Sequence, residues 1–287
     1  MKLLLDETRK LRSFREMYMG ILLAIVLHMF AMYSSAIGDE NWIIGNWNSW
    51  FQDILSEGLC AAIFIILGVS RLFCYENERG CEFIVGSTKK GKSKTYLSKI
   101  LLVVILCFAI VLLLGVTRFL VEYIWGSIEG ALDPVTGCTY YSNGGINNQL
   151  QDDGSYIPVI VEGGQPPYSN IVYLLIQHAF LFLGLLYFAG FIIIIALLTR
   201  KTALTTVLSG IFVVISLYYN TFGSNPLPEN PICEYLYRFG PGGNIFYDSF
   251  AWTKYWCATW KAVVVCIIGI LVEAIIIWLS WKRRARK

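Results

Sequence analysis

Apolar residues in this chain come in long unbroken runs. Polar residues gather between the runs and do not alternate within them. Six stretches, at 19–36, 54–74, 99–121, 171–198, 203–219 and 262–281, meet or approach that length of continuous hydrophobicity, since about 20 apolar residues cross about 30 Å of hydrocarbon as a helix. A strand in a lipid-facing barrel would show polar and apolar residues in turn, and an open sheet edge has no partner in lipid. The pattern therefore predicts an all-α integral membrane protein with six transmembrane helices, forming a single transmembrane domain over residues 1–287.

Composition agrees: 56% of the 287 residues are hydrophobic and 15% are charged, against roughly 25% charged in soluble domains. Nineteen of the 23 basic residues fall in four clusters, at 1–18, 71–99, 200–201 and 282–287. In a six-span chain all four lie on one side, so the positive-inside rule predicts that both termini face the cytosol. The segments at 37–53, 122–170 and 220–260 then lie outside the cell. The net charge of +3 reports sidedness and gives no reason to expect nucleic acid. Residues 1–18 carry Leu3, Leu4, Leu11 and Phe14 among five cations, which predicts an amphipathic helix lying along the inner leaflet. A basic start, the apolar run at 20–31 and Ser34-Ser35-Ala36 imitate a cleavable signal; we read that run as a retained first span.

Several polar residues interrupt the apolar stretches. Glu273 lies near the middle of 262–281, where an acid costs about 3 kcal/mol on insertion scales. It reads either as a substrate-facing or protonation-linked group or as a hydrogen-bonded contact between helices. Arg118 and Glu122 are spaced as an i,i+4 pair. His28, His178 and Gln177 read as hydrogen-bonded contacts between helices, with no spacing that predicts a metal site. Of the eight cysteines, Cys60, Cys107 and Cys266 fall in spans as packing residues, while Cys74 and Cys81 are expected at the reducing cytosolic side. Cys138 and Cys233 lie in the two large outer loops, and we predict a disulfide between them, with Cys257 as the rival partner. The outer loops are punctuated by Gly-Gly and Pro-rich turns that predict short elements and no long helix.

The segment at 75–99 is polar, acidic first and basic after. Gly86-Ser-Thr-Lys-Lys-Gly91-Lys92-Ser93 fits the phosphate-binding pattern G-x-x-x-x-G-K-[ST] letter for letter. That chemistry needs a buried parallel strand before the loop and a magnesium-binding acid on another strand. No cytosolic stretch here is long enough for such a sheet, so the match reads as coincidence. Helix, turn and helix describes the segment better, with Gly91 at the turn.

Glu76-x-x-x-Gly80, Ser87-Thr-Lys-Lys-Gly-Lys92 and Tyr96-Leu-Ser-Lys99 resemble the segment after the second helix in type-2 ABC exporter permeases of Gram-positive bacteria. Lys92 stands where that family more often has Arg. The resemblance covers about 25 residues closely, and the six-span topology with inside termini matches the family over the whole chain. It implies a multi-pass permease subunit of the bacterial plasma membrane that pairs with a second permease copy. It also implies two copies of a separate cytosolic ATPase subunit, which would hold the ATP and Mg, leaving no cofactor on this chain. Loop 75–99 would supply the coupling helix, with Glu76, Glu78, Arg79, Gly80, Lys89, Lys90, Gly91 and Lys92 at the docking surface. The expected cargo is hydrophobic or amphipathic, a peptide, lipid or drug moved outward. The alternative is a non-transporting integral membrane enzyme or scaffold.

Overall fold

The structure is a computed structural model and describes residues 2–12, 14–37, 54–80, 91–125, 130–134, 146–150, 156–160, 168–222 and 259–285. Among these are seven helices: α1 (Lys2–Arg12), α2 (Arg15–Ile37), α3 (Ile54–Glu78), α4 (Gly91–Trp125), α5 (Asn170–Thr199), α6 (Thr202–Phe222) and α7 (Thr259–Ala285). Between α4 and α5 two short strands, β1 (Ile146–Leu150) and β2 (Tyr156–Ile160), pair antiparallel with Asn148 opposite Pro158. This small ribbon is the one departure from an all-helical chain among the described residues. It falls in a loop predicted to hold short elements.

Helix is what continuous apolar sequence favours where solvent cannot satisfy the backbone, because each N–H finds its partner within the segment. Four helices hold stretches long and apolar enough to cross a membrane: Glu57–Glu78, Lys94–Leu120, Asn170–Thr199 and Val263–Lys282. Helices α2 and α6 stand where the first and fifth spans are predicted. They run for 23 and 21 residues, and α2 is sharply bent from α1.

Helix α3 lies at the centre, touching α2, α4, α5 and α6, while α5 bridges α3, α4, α6 and α7. Small residues on α3, Ala61 and Ala62, are fully buried beside Ile65 and Val69, which lets neighbouring backbones come close. The core continues through Leu114 of α4 and Leu185, Phe188 and Ile192 of α5. In contrast, Ile268, Leu271, Ile275 and Leu279 of α7 are exposed.

The predicted helix over 1–18 divides in two. Helix α1 closes at Arg12, the Phe14 N–H donates to the Leu11 carbonyl at 3.0 Å, and α2 opens at Arg15. Its apolar side faces protein: Leu11 and Phe14 are buried in the core and Leu4 packs against it. The turn predicted at Gly91 is also displaced, since Gly91 is the first residue of α4. Among the described residues of this segment Gly80 is left-handed, with φ of 66° just beyond α3, a conformation that costs glycine nothing.

Start and end of α5 are held by backbone. The Asn170 and Ile171 N–H groups donate to the Asp133 and Ala131 carbonyls at 3.0 and 3.1 Å, which satisfies donors that a helix start leaves free. At the other end Arg200 adopts φ of 57° and its N–H donates to the Ala196 carbonyl at 3.0 Å. That left-handed cap turns the chain directly into α6.

Candidate functional site

Polar side chains inside the bundle gather at three places. The first lies at the α1 end. Glu76, late in α3, accepts from Lys10 of α1 at 3.1 Å and pairs with Lys99 of α4 at 3.0 Å, while Lys10 also donates to Glu7 at 2.7 Å. The Lys99 ammonium additionally donates to the Leu72 carbonyl at 3.0 Å. One carboxylate thus joins three helices. Burial opposes the charge on Lys10, but its hydrogen bonds to Glu7 and Glu76 outweigh that and hold its pKa above the ordinary lysine value.

Glu78, two residues on, accepts from Arg71 at 3.1 Å and from the Thr202 backbone N–H at 2.6 Å. It therefore caps the start of α6 as an N-cap carboxylate would, although it belongs to another helix. Asn77 donates to the Arg200 carbonyl at 3.0 Å. The Arg71 guanidinium lies 5.3 Å from the Phe14 ring centre and 5.2 Å from that of Tyr75, within the range of cation–π attraction.

Of the residues predicted to dock an ATPase, Glu76 and Glu78 are thus bound up within the chain, and Lys99, expected to open the third span, is buried. Arg79 and Gly80 are exposed at the end of α3, with the Arg79 guanidinium 5.5 Å from the Tyr75 ring centre. Gly91 and Lys92 begin α4. Lys89 and Lys90 lie outside the described residues, as does most of the phosphate-loop look-alike. The described element before that segment is helix α3. Cys74, expected at the cytosolic side, is buried with its Sγ 3.4 Å from the Thr205 hydroxyl. Cys60, Cys107 and Cys266 are buried free thiols, whereas Cys138, Cys233 and Cys257 lie outside the described residues.

The second place is at the other end of α3, about 28 Å away at 1.5 Å per residue. Glu57 is fully buried, with its carboxylate 3.2 Å from His178 Nε2 of α5. His28 of α2 and Arg118 of α4, both fully buried, lie within electrostatic reach of the same carboxylate. Gln177 is buried beside His178 in sequence. His178 Nδ1 is 2.9 Å from the Leu174 carbonyl. A carbonyl only accepts, so Nδ1 is the donor in that contact. Four helices therefore meet on one acid. The Glu122 side chain, and with it the Arg118–Glu122 pair predicted from spacing, lies outside the described ones.

Gly115 of α4 makes the contact possible. A Cβ there would lie 2.8 Å from His178 Nε2, too close for the ring to stay. Gly115→Ala should displace His178 from Glu57 and lower stability by about 1–3 kcal/mol, seen as a reduced unfolding temperature of the purified protein. An unchanged temperature counts against this account. A groove of about 510 Å³ runs beside this glycine between α4 and α5, walled by Phe108, Phe119, Leu175 and Phe182.

The third place surrounds Glu273 of α7. This residue is 7% exposed and its carboxylate sits over Gly190 of α5, where a side chain would overlap it. The Tyr187 ring fills the reciprocal notch at Gly269. Beside Glu273 a groove of about 300 Å³ opens between α4, α5 and α7, bounded at one end by Tyr96, Trp278 and Trp281. Tyr96 and Trp281 stack there with ring centres 5.7 Å apart. Among the described residues no group of three or more His, Cys, Asp or Glu is placed to hold a metal ion.

No family model matches the chain, and no curated protein matches it.

Proposed function

We propose that the chain is the membrane-spanning permease subunit of an ATP-driven exporter of the ABC class, moving a hydrophobic or amphipathic substrate out of the cell. In this reading α2 to α7 are six spans of the bacterial plasma membrane, N-in and C-in. ATP hydrolysis falls to two copies of a separate cytosolic subunit, and a second copy of the permease completes the path.

The observation that carries the proposal is the Lys10–Glu76–Lys99 junction. It fastens a short amphipathic helix, the end of α3 and the start of α4 into one unit. A docking element must transmit displacement to the spans, and three helices sharing a buried charge move together. Exposed Arg79 and Lys94 then serve docking better than Glu76 and Glu78, because exposed rim charges steer association and fix register.

The test is purification of the full chain from its native membrane, with identification of any copurifying nucleotidase and measurement of ATPase activity. We expect a stoichiometric ATPase whose association is weakened by Arg79→Glu combined with Lys94→Glu, at unchanged unfolding temperature. Absence of any nucleotidase, or an association indifferent to both reversals, rejects the proposal in favour of a non-transporting membrane protein.

A further inference from the structure

We propose that the groove between α4, α5 and α7 binds a single-chain lipophilic amine, whose ammonium is received by Glu273. This rests on the permease reading only in treating the ligand as cargo. The recognition chemistry comes from the groove itself. Its walls are almost wholly apolar, built from residues such as Val103, Val104, Ile193, Ile270 and Ile277. Into that surface projects one acid, 93% buried, whose Oε2 atom has no hydrogen-bond partner among the described residues. A buried acceptor without a donor is costly, and no Lys, Arg or His lines the groove. An ammonium brought by a ligand would supply that donor.

Size and polarity narrow the class. At about 300 Å³ the groove sits at the small end of ligand pockets, so one alkyl chain or small ring system fits better than a phospholipid with two. A carboxylate pairs most strongly with a cationic donor, and an alkylamine is protonated at neutral pH, as lysine is. The aromatic end formed by Tyr96, Trp278 and Trp281 suits the apolar body of such a ligand. Gly190 completes the site, since its missing side chain is what leaves room for the carboxylate.

The experiment uses the full chain in phosphatidylcholine nanodiscs without any ATPase. Two photoreactive probes of equal length are compared, a decylamine and a decanoic acid, each with a terminal diazirine, and adducts are mapped by peptide mass spectrometry. We expect the amine to label groove residues of α4, α5 and α7 about tenfold more than the acid, a difference of about 1.4 kcal/mol. Glu273→Gln should abolish that preference, and Ala274→Trp, which fills the groove while keeping the acid, should remove the labelling. Should Glu273→Gln fail to fold, Ala274→Trp and competition by unlabelled decylamine on the unaltered chain decide.

Equal labelling by both probes, or amine labelling indifferent to Ala274→Trp, overturns the inference. Loss of labelling when phosphatidylethanolamine is added assigns the groove to a lipid headgroup and also overturns it. Because binding is read without a nucleotidase, failure of the ATPase to copurify leaves this result standing, and failure of labelling leaves the ATPase partnership standing.

Discussion

Glu57→Ala is expected to cost about 3–5 kcal/mol, the loss measured when one partner of a buried ion pair is removed. The substitution removes the group that His178 contacts at 3.2 Å and the carboxylate whose field reaches fully buried Arg118. The prediction concerns breakage, because a buried charge cluster need not be more stable than an apolar replacement. Removing both charges should therefore be gentler than the sum of removing each. Thermal or denaturant unfolding of Glu57→Ala, Arg118→Met and the double variant forms a cycle whose coupling term reads the interaction directly. A loss below about 1 kcal/mol for Glu57→Ala, the size of an exposed pair, means the acid is not the keystone described.

Glu76→Lys should release the amino-terminal helix. The change places a third cation against Lys10 and Lys99, and the Lys99 side chain is only 5% exposed. The cost lies between that of exposed and buried pairs, about 2–4 kcal/mol. The local effect should exceed the global one, since α1 is held by this junction and by the packing of Leu4 and Leu11. Trypsin should then cut after Arg9 and Arg12 several times faster in the variant, with the rest of the bundle protected. An unaltered cleavage rate shows that packing alone holds the helix.

Much of the architecture was legible from hydrophobic pattern. All six apolar stretches lie within helices, because a run that long without polar relief has no other low-cost backbone. Ends were less legible. The third stretch, predicted to begin at 99, extends down to Gly91, because Lys92 and Lys94 tolerate helix as well as loop. The break near residue 13 has no Pro or Gly to announce it.

The polar knot was half legible. His28 and His178 stood out as solitary polar residues in apolar surroundings, and spacing matched Arg118 with Glu122 along its own helix. Counted from the ends of the predicted stretches at 36, 54, 121 and 171, Glu57 and Arg118 lie three residues in, and His178 and His28 seven and eight. Only comparing depth across antiparallel helices sets Glu57 level with Arg118, with the two histidines about one turn deeper. Nothing in spacing along one helix reveals it. Glu76 and Glu78 show the converse failure: acidic residues beside a basic loop invite a docking interpretation, yet their partners come from α1, α4 and the start of α6, contacts that exist only after folding.

The notches at Gly190 and Gly269 carry a last consequence. Tyr187 leans from α5 into one and Glu273 leans from α7 into the other, so the two rods are keyed together at adjacent turns. The gauge of the neighbouring cleft is thereby fixed by two hydrogen atoms standing where side chains would otherwise be. A methyl at either site acts as a shim, and whatever fits the cleft is selected by an absence.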